Sequence, residues 1–197
     1  MKYNYMKKII RLWLIQFMVS ASIYAQDSNK WNSSVYIDLT SNTSNEYIYY
    51  DSNNKINEAS INEKGAFEIV YNIDYRLLNK FTASAITSYN HFVNPSSSSL
   101  KIGSGIKFLY VDNKYHYLTL QYGYHIPFNK DNFREGHQIK IGQYFDVTKL
   151  FNHRLLLGIF YNYDFLYLDG SQPLFLNSNR ASSLKYNSFG ISLGIKL

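Results

Sequence analysis

Apolar residues recur at every second position in the last segment of the chain. Between Phe189 and Leu197 the sequence alternates Phe, Ile, Leu, Ile and Leu with Gly, Ser, Gly and Lys. Successive side chains of a β-strand point to opposite faces, so this period predicts a strand with one apolar face and one small or polar face. No segment after residue 25 shows the period of an amphipathic helix. We therefore expect an all-β protein.

Eight segments carry this alternation. In residues 154–168, large apolar residues occupy the odd-numbered positions, whereas Gly158 and Asn162 lie at even-numbered positions. The alternation is weaker in the first segment, residues 33–40, and in the third, residues 81–93. The composition agrees with this interpretation, because the chain has 20 Tyr and 13 Phe but 3 Pro. Tyr and Phe are typical of strands.

The connections between these segments alternate in length. Three are short enough for tight hairpin turns, at residues 78–80, 112–114 and 149–152. Four longer connections lie between them, at residues 41–64, 94–99, 127–135 and 169–183. Outer-membrane barrels have an even number of strands, short periplasmic turns and long external loops. We therefore predict a closed, up-and-down transmembrane β-barrel of eight antiparallel strands, with both termini on the side of the short turns.

A soluble barrel with its apolar face turned inward is the main alternative. An eight-stranded barrel has room for side chains or one small ligand, and the large apolar residues of all strands would overfill it. We therefore expect these residues to face lipid, and Gly, Ser, Thr, Asn, Gln and charged residues to fill the lumen. Tyrosines near strand ends would form the interfacial girdles, namely Tyr89, Tyr110, Tyr124, Tyr163 and Tyr167.

The N-terminus has the pattern of a secretory signal peptide. Four basic residues lie within the first 11 positions, and an apolar run of 13 residues follows, from Leu12 to Tyr24. This run is shorter than the roughly 20 apolar residues of a transmembrane helix. We expect residues 1–25 to be a signal peptide and residues 26–197 to be one outer-membrane β-barrel domain.

Charge and cysteine content exclude several functions. Without residues 1–25 the chain has 16 basic and 14 acidic residues, a net charge of +2, so a basic surface for nucleic acid is not expected. The chain has no Cys, which excludes disulfides, thiolate metal sites and a Cys nucleophile.

Together, the signal peptide, the alternating segments, the unequal connections and the final strand from Phe189 to Leu197 resemble the small outer-membrane barrels of the OmpA and OmpX type. The resemblance covers almost all of the chain after residue 25 and concerns architecture. It implies contact with outer-membrane lipid and recognition of the final strand by the barrel-insertion machinery. In that family the last residue is commonly Phe, whereas this sequence has Leu197.

Nine charged residues lie at the alternate strand positions whose side chains should face the lumen. Lys140 and Asp164 lie on neighbouring predicted strands at similar height, so we predict that they pair. The set forms either a network of lumen salt bridges or an ion pathway, and the narrow lumen of eight strands favours the network. The nine residues are Asp38, Glu68, Asp74, Arg76, Lys101, Lys107, Lys140, Asp146 and Asp164.

Three histidines are weak candidates for a functional site. His91 has lipid-facing parity near a run of serines, which suggests either an interfacial aromatic or a base for a serine nucleophile. His125 and His137 flank the third external loop, where they could form hydrogen bonds at the loop base or, with less support, bind a metal. The sequence assigns no catalytic residue, no metal and no cofactor.

Three functions fit this architecture. The first is a non-enzymatic structural or surface-interaction role, with an extracellular partner bound through loops 41–64 and 169–183; Tyr47, Tyr49 and Tyr50 lie in the first of these loops. The second is a lipid A-modifying enzyme. The third is a carrier of a small apolar solute. We favour the first, because it requires no residue that the sequence lacks.

Overall fold

The described part of the protein contains nine β-strands. The computed structural model describes residues 30–61, 65–93, 96–111, 116–128, 133–169 and 180–197. The strands are β1 (Trp31–Tyr50), β2 (Ile56–Ser60), β3 (Ala66–Arg76), β4 (Phe81–Phe92), β5 (Ser97–Leu109), β6 (Tyr117–Pro127), β7 (Glu135–Leu150), β8 (His153–Tyr167) and β9 (Arg180–Lys196).

Eight of these strands close into an antiparallel barrel. The order around the sheet is β1, β3, β4, β5, β6, β7, β8 and β9, and β9 pairs again with β1. β2 pairs with the outer part of β1 and so extends the sheet beyond the barrel wall. The predicted fold class is therefore confirmed. Within the described residues, no helix is long and apolar enough to cross a membrane.

The register of the strands places the alternating apolar side chains on the outer face of the barrel. Ile37 on β1 lies opposite Leu193 on β9, and both side chains are exposed. Their neighbours Asp38 and Ser192 also lie opposite each other, and both are buried. A belt of exposed aliphatic residues surrounds the barrel in this way, and it includes Leu39, Ile69, Ile102, Ile106, Leu120, Ile139, Ile141, Leu157, Ile159 and Ile191.

The two ends of the barrel differ, as the connection lengths predict. At the end that we name the turn end, residues 77–80 join β3 to β4, and Phe151 and Asn152 join β7 to β8. Phe151 has a φ of 54°, which permits the tight reversal. Lys30 and Leu197 lie at this end too, through backbone hydrogen bonds with Arg76 and Ser33. The predicted turn at 112–114 and the predicted signal peptide lie outside the described residues.

At the opposite end, which we name the loop end, two predicted loops are wrong. Residues 41–64 do not form a long loop, because β1 continues to Tyr50 and pairs with β2. β5 begins at Ser97, so only the start of the predicted 94–99 loop precedes the strand. Polar Ser, Asn and Thr residues interrupt the apolar alternation in both segments, although both are strands. β1 pairs with β9 along residues 41–50, with register shifts after Asn42 and after Ile48. The predicted loop 127–135 coincides with the interval between β6 and β7, whereas residues 180–183 of the predicted loop 169–183 already belong to β9. Residues 129–132 and 170–179 of these two loops lie outside the described residues.

Gly65 brings the chain back from the outer strands into the barrel wall. It has a φ of 109°, a conformation that side chains with a Cβ rarely adopt. A Cβ at this position would lie 2.0 Å from the carbonyl oxygen of Thr40. The next residue, Ala66, donates its backbone N–H to the hydroxyl of Thr40 at 2.8 Å. This close junction fixes the start of β3 against β1.

The interior contains more large apolar side chains than the sequence predicts. We expected small, polar and charged residues there, but aromatic and aliphatic residues close both ends of the lumen. One cluster at the loop end comprises Tyr47, Phe92, Phe133, Leu166, Leu168, Ala181, Leu184 and Tyr186. A second cluster toward the turn end comprises Tyr36, Val70, Ile86, Tyr117, Tyr144 and Leu156.

Small residues make space for these rings. A Cβ on Gly194 would lie 2.2 Å from the ring of Tyr36, and a Cβ on Gly158 would lie 2.5 Å from the ring of Tyr144. The two tyrosines pack edge to face, with ring centroids 5.3 Å apart. Glycine on one strand therefore admits an aromatic ring from another, and the lumen can be densely packed without a wider barrel.

Candidate functional site

A network of buried polar side chains occupies the lumen between the two apolar clusters. Four carboxylates, three lysines and one histidine are buried there, each at most 8% exposed. An unpaired charge in such a position would be strongly unfavourable, so the partner of each group decides whether the fold tolerates it. The groups are Asp38, Glu68, Asp74, Lys101, Lys107, His125, Lys140 and Asp164.

Near the loop end, a serine, a histidine and an aspartate form a line. The hydroxyl of Ser99 and Nδ1 of His125 lie 3.0 Å apart. The other ring nitrogen, Nε2, lies 3.0 Å from the carboxylate of Asp164. Gln138 donates to the same carboxylate at 2.9 Å. Ser99 and His125 are both 0% exposed, and the three residue types are those of a catalytic triad.

Phe92 and Tyr186 cover this line from the loop end. Their rings stack with centroids 5.2 Å apart, and the ring of Phe92 also lies 5.9 Å from that of His125. Phe133 packs edge to face on Phe92. Within the described residues, these rings pack over the line at the loop end, and its hydrogen bonds join β5, β6, β7 and β8.

The middle of the lumen holds two linked lysines. Lys101 forms an ion pair with Glu68 and donates to the side-chain oxygen of Gln138. Lys140 pairs with Asp38 and lies 3.8 Å from the second oxygen of Glu68. Shared partners join these ions into one network with the His125 line, so removal of one member leaves others uncompensated.

A separate ion pair lies nearer the turn end. Lys107 donates to Asp74 at 2.7 Å, and the hydroxyl of Ser84 donates to the other oxygen of that carboxylate at 2.6 Å. The ammonium group of Lys107 also lies 5.0 Å from the centre of the Tyr117 ring. The hydroxyls of Tyr36 and Tyr117 are hydrogen-bonded at 2.7 Å and close the lumen beside this pair.

The predicted pair of Lys140 and Asp164 is wrong, although both residues face the lumen. Lys140 lies opposite Asn162, and Asp164 lies opposite Gln138, one inward position closer to the loop end. Lys140 instead reaches across the lumen to β1. The two-residue period of a strand predicts which face of the sheet a side chain occupies. Which side chains meet across the lumen depends in addition on the stagger between strands.

Two of the nine predicted lumen residues lie at the rim of the turn end. Asp146 accepts a hydrogen bond of 2.5 Å from Arg154, a neighbour on β8. Arg76 is half-buried at the end of β3. The remaining seven residues, from Asp38 to Asp164, are the buried charges described above. Sequence reasoning missed Ser84, Ser99 and Gln138, and also Ser88, whose hydroxyl donates to Glu68 at 2.5 Å. Their positions on the inward face of the strands were the available signal.

The three histidines fall in different environments. His125 is not at a loop base but within β6, in the lumen. His137 lies on the outer face, where Nδ1 is 2.6 Å from the hydroxyl of Tyr122 and the ring packs near Tyr124 and Tyr167. His91 is also on the outer face and contacts Ser98. These positions bring no two of the histidines together.

The contact between His91 and Ser98 joins β4 to β5 near the loop end. Nδ1 of His91 lies 2.8 Å from the Ser98 hydroxyl, and the hydroxyl of Tyr89 lies 3.0 Å from the same oxygen. The ring of Tyr89, which is 40% exposed, stacks on Phe128. The described residues place no carboxylate on His91, so the pair lacks the third group that orients a catalytic histidine.

The five tyrosines predicted to form the interfacial girdles lie on the outer face. In addition to Tyr89, two of them form side-chain hydrogen bonds. The hydroxyl of Tyr124 donates to Glu135 at 2.5 Å, and Tyr110 accepts from Gln143 at 2.7 Å. Tyr163 is half-buried, and Tyr167 is exposed.

At the loop end, β1 and β2 form a hairpin that we name the outer hairpin, residues 41–61. The carboxylate of Asp51 accepts backbone N–H groups from Asn53 at 2.8 Å and Lys55 at 2.9 Å, which holds the pKa of Asp51 below its usual value. Asn54 adopts the left-handed conformation with a φ of 58°. The hairpin tip is therefore a defined turn.

β9 supports the outer hairpin from its other side. Lys185 donates to Glu46 at 3.0 Å and lies 3.8 Å from Glu58, and the hydrogen bond to Glu46 raises the pKa of Lys185. Tyr47, on the β1 strand of the hairpin, is buried in the loop-end cluster, and its ring stacks on that of Tyr49. Ile56 on β2 is 63% exposed. One face of the hairpin thus packs on the barrel while the other is accessible.

The described residues contain no group of three or more His, Asp or Glu side chains that could hold a metal ion.

The fold and the polar lumen define a closed eight-stranded barrel of the kind found among transmembrane β-barrels. No family model matches the chain, and no curated protein matches it either. Among solved structures, it is similar to a de novo designed transmembrane β-barrel, with 14% identity, a TM-score of 0.39 and coverage of 83% of this chain and 94% of that one. A FadL homologue from Pseudomonas aeruginosa matches with 9% identity, a TM-score of 0.18 and coverage of 85% and 90%.

Proposed function

We propose that this protein is an exported, non-enzymatic barrel of the bacterial outer membrane that acts through the outer hairpin at the cell surface. The loop end is then extracellular and the turn end periplasmic, as in barrels with short periplasmic turns. Outer-membrane lipid surrounds the aliphatic belt, and the insertion machinery recognises the final strand, residues 189–197.

The observation that carries this proposal is the outer hairpin itself. β1 continues past the aliphatic belt and pairs on one side with β2 and on the other with β9. The Asp51 turn and the pair of Lys185 and Glu46 hold the projecting strands in one conformation. A preformed surface loses less conformational entropy on binding than a flexible loop does, which suits it to recognition.

The lumen gives no support to transport. Apolar clusters fill both ends, and compensated charges occupy the space between them. The β1–β9 seam is paired from Ser34 to Tyr50, so a lateral opening for an apolar solute has no supporting observation.

The test is a shortened hairpin in the otherwise intact chain. Residues 46–60 are replaced by Asn-Gly, which joins β1 to residue 61 through a tight turn. We expect the variant to insert and to keep the heat-dependent gel mobility of a folded barrel. Attachment of cells to glass and to each other should fall to the level of cells that lack the protein. Unchanged attachment by cells with the inserted variant would contradict the proposal.

A second candidate function rests on the contact of His91 with Ser98. The pair faces the lipid phase near the extracellular end, where ester-linked acyl chains of lipid A lie. His91 would take the proton of Ser98 as the serine oxygen attacks the ester carbonyl, and would return it to the departing alcohol. Water would then hydrolyse the acyl-serine and release a fatty acid.

Lipid A masses from cells with and without the protein test this candidate. A loss of one acyl chain that requires both Ser98 and His91 would support it. Ser104→Ala is the matched control, because Ser104 is exposed on the same strand and the same face. Identical masses in all strains would remove the candidate and leave the surface role unaffected.

A further inference from the structure

The outer hairpin leaves one edge of the sheet open. β2 pairs with β1 and is the last strand in the order of the sheet, so no strand within the described residues pairs with its other side. β1 pairs with β3 only as far as Thr40, and its pairing with β2 begins at Glu46. The open edge of β2 therefore lies at the loop end, beyond the start of β3.

The pairing of β2 with β1 determines which backbone groups point to this edge. Lys55 accepts the N–H of Asp51, and Ile61 donates to the carbonyl of Asn45, each at 3.0 Å. These two contacts flank β2, and successive residues of an antiparallel strand direct their hydrogen bonds to alternate sides. The odd-numbered residues of β2 therefore bond to β1. The N–H and C=O groups that face the open edge belong to Ile56, Glu58 and Ser60.

An open edge of this kind is a template for another strand. Its unpaired N–H and C=O groups can form a second ladder of hydrogen bonds with an extended segment of another chain, as several peptide-binding domains do. β1 already holds β2 in the extended conformation, and the Asp51 turn fixes the position at which β2 begins. Binding therefore has to order the incoming segment but not β2 itself.

The side chains of the edge indicate the chemistry of that segment. Ile56, Glu58 and Ser60 are exposed, whereas the residues between them are half-buried. The Glu58 side chain is 57% exposed, and Lys185, at 3.8 Å, lies closer to Glu46, at 3.0 Å. Residues directly opposite each other on neighbouring strands interact. A basic residue opposite Glu58 and an apolar residue opposite Ile56 would complement this edge.

Charge favours such a partner over a second copy of this chain. Residues 41–61 contain three acidic residues and one lysine, a net charge of −2. In the symmetric antiparallel pairing of two β2 strands, Glu58 would lie opposite its own counterpart, and like charges in that position are destabilising. A basic segment instead gains an ion pair at the same position.

We propose that the open edge of β2 binds an extended segment of a partner protein as an added antiparallel strand. A basic residue of that segment lies opposite Glu58, and an apolar residue two positions later lies opposite Ile56. This inference rests on the proposed surface role of the outer hairpin and names the chemistry of its partner. The backbone ladder provides the binding, and the two side-chain pairs fix the register.

The probe is the synthetic peptide Thr-Thr-Lys-Thr-Val-Thr, titrated into the isotope-labelled barrel in lipid discs. Hydrogen exchange of the backbone amides detects the added strand. In the free protein, the amides of residues 57 and 59 should be protected, and those of 56, 58 and 60 should exchange rapidly. The peptide should protect the second set in a saturable way. Absence of this protection would overturn the proposal, as would protection that rises with protein concentration before peptide is added.

Altered peptides separate strand addition from other contacts. N-methylation of the peptide Lys removes an N–H that faces β2 and should abolish binding, whereas N-methylation of the next Thr, whose N–H faces away, should not. Replacement of the peptide Lys by Glu should weaken binding about fivefold, and Glu58→Lys should reverse this preference. Equal affinity of the two methylated peptides, or an unreversed preference, would contradict the proposal.

Ser60→Pro distinguishes this proposal from the surface role itself. Proline removes an N–H that faces the open edge and none that bonds to β1, so the hairpin should remain folded. Peptide binding should be lost in Ser60→Pro and retained in Ser60→Thr, the matched control that keeps the N–H. Cells with inserted Ser60→Pro protein should lose attachment as cells with the shortened hairpin do. Normal attachment with Ser60→Pro but not with the shortened hairpin would overturn strand addition and leave the surface role standing.

Discussion

Lys140 on β7 donates to the carboxylate of Asp38 on β1, across the lumen and 102 residues away in sequence. Two strands, β8 and β9, separate these residues along the barrel wall. The contact therefore spans the interior rather than joining neighbours. Both side chains are 1% exposed, so each depends on the other for compensation of its charge.

Removal of one member of this pair should destabilise the barrel. We expect Lys140→Met to lower the free energy of unfolding by about 3–5 kcal/mol, because it leaves Asp38 buried beside Glu68 without its cation. Asp38→Asn combined with Lys140→Met should recover most of that loss. Urea unfolding in lipid vesicles measures both effects. The exposed Lys149→Met serves as control, within about 0.5 kcal/mol of the parent. A loss no larger than this control would refute the role of the pair.

The packing of Tyr36 against Gly194 predicts a coupled pair of substitutions. Gly194→Ala places a methyl group 2.2 Å from the Tyr36 ring, and we expect a loss of about 1–3 kcal/mol from overpacking. In a Tyr36→Ala background the ring is absent, so the same change should have little further effect. A double-mutant cycle by urea unfolding measures this coupling. Additive losses would show that the ring does not cover Gly194.

The outer hairpin should loosen at alkaline pH. The pKa of Lys185 is raised by its hydrogen bond to Glu46, so the stabilisation is complete below the ordinary lysine pKa and is lost as the pH rises through the higher value in the folded protein. The pair is partly exposed, so the contribution is about 0.5 kcal/mol or less after solvent screening. Amide hydrogen exchange of Glu46 and Lys185, corrected for its intrinsic pH dependence, should show the change. Lys185→Gln should abolish it.

The packed lumen predicts a barrel that does not conduct. Rings at the loop end and hydrogen-bonded tyrosines at the turn end leave no continuous path through the described interior. We expect purified protein in a planar bilayer to show no stepwise current at any salt concentration. Stable unitary openings from correctly folded protein would contradict the packing.

Periodicity was enough to predict the barrel wall. The two-residue alternation assigned the correct face to Asp38, Glu68, Lys101 and Lys107, because the pleat fixes side-chain direction whatever the neighbouring strand. It also predicted two of the tight turns to within two residues, since β3 and β4 are joined by residues 77–80 and β7 and β8 by residues 151–152.

Pairing across the lumen could not be predicted in the same way. The Lys140–Asp164 prediction failed because strand stagger shifts Asp164 by one inward position, where it meets His125 and Gln138. The inward rings were missed for a related reason. Tyr36 and Tyr144 have polar hydroxyls and β-propensity that suit either face, and Gly194 and Gly158 on other strands provide their space.

The sequence did not predict the outer hairpin. Residues 41–46 are polar and lack the alternation of a strand, so we predicted a loop there. Their strand conformation depends on pairing with β9, which lies more than 130 residues later in the chain. Such non-local support is not visible in a window of a few residues.

The central claim is that the barrel spans a membrane with its aliphatic face toward lipid, and lipid access measured along β9 tests it most directly. The sequence has no Cys, so single cysteines can be introduced and labelled. Cysteines introduced one at a time at 188, 189, 191, 192, 193 and 195 would carry a fluorophore in lipid vesicles that contain a lipid-soluble quencher. We predict strong quenching at 189, 191, 193 and 195, and weak quenching at 188 and 192, where buried serines now stand. Uniform quenching, or the reverse alternation, would contradict a membrane-spanning barrel with its aliphatic face toward lipid.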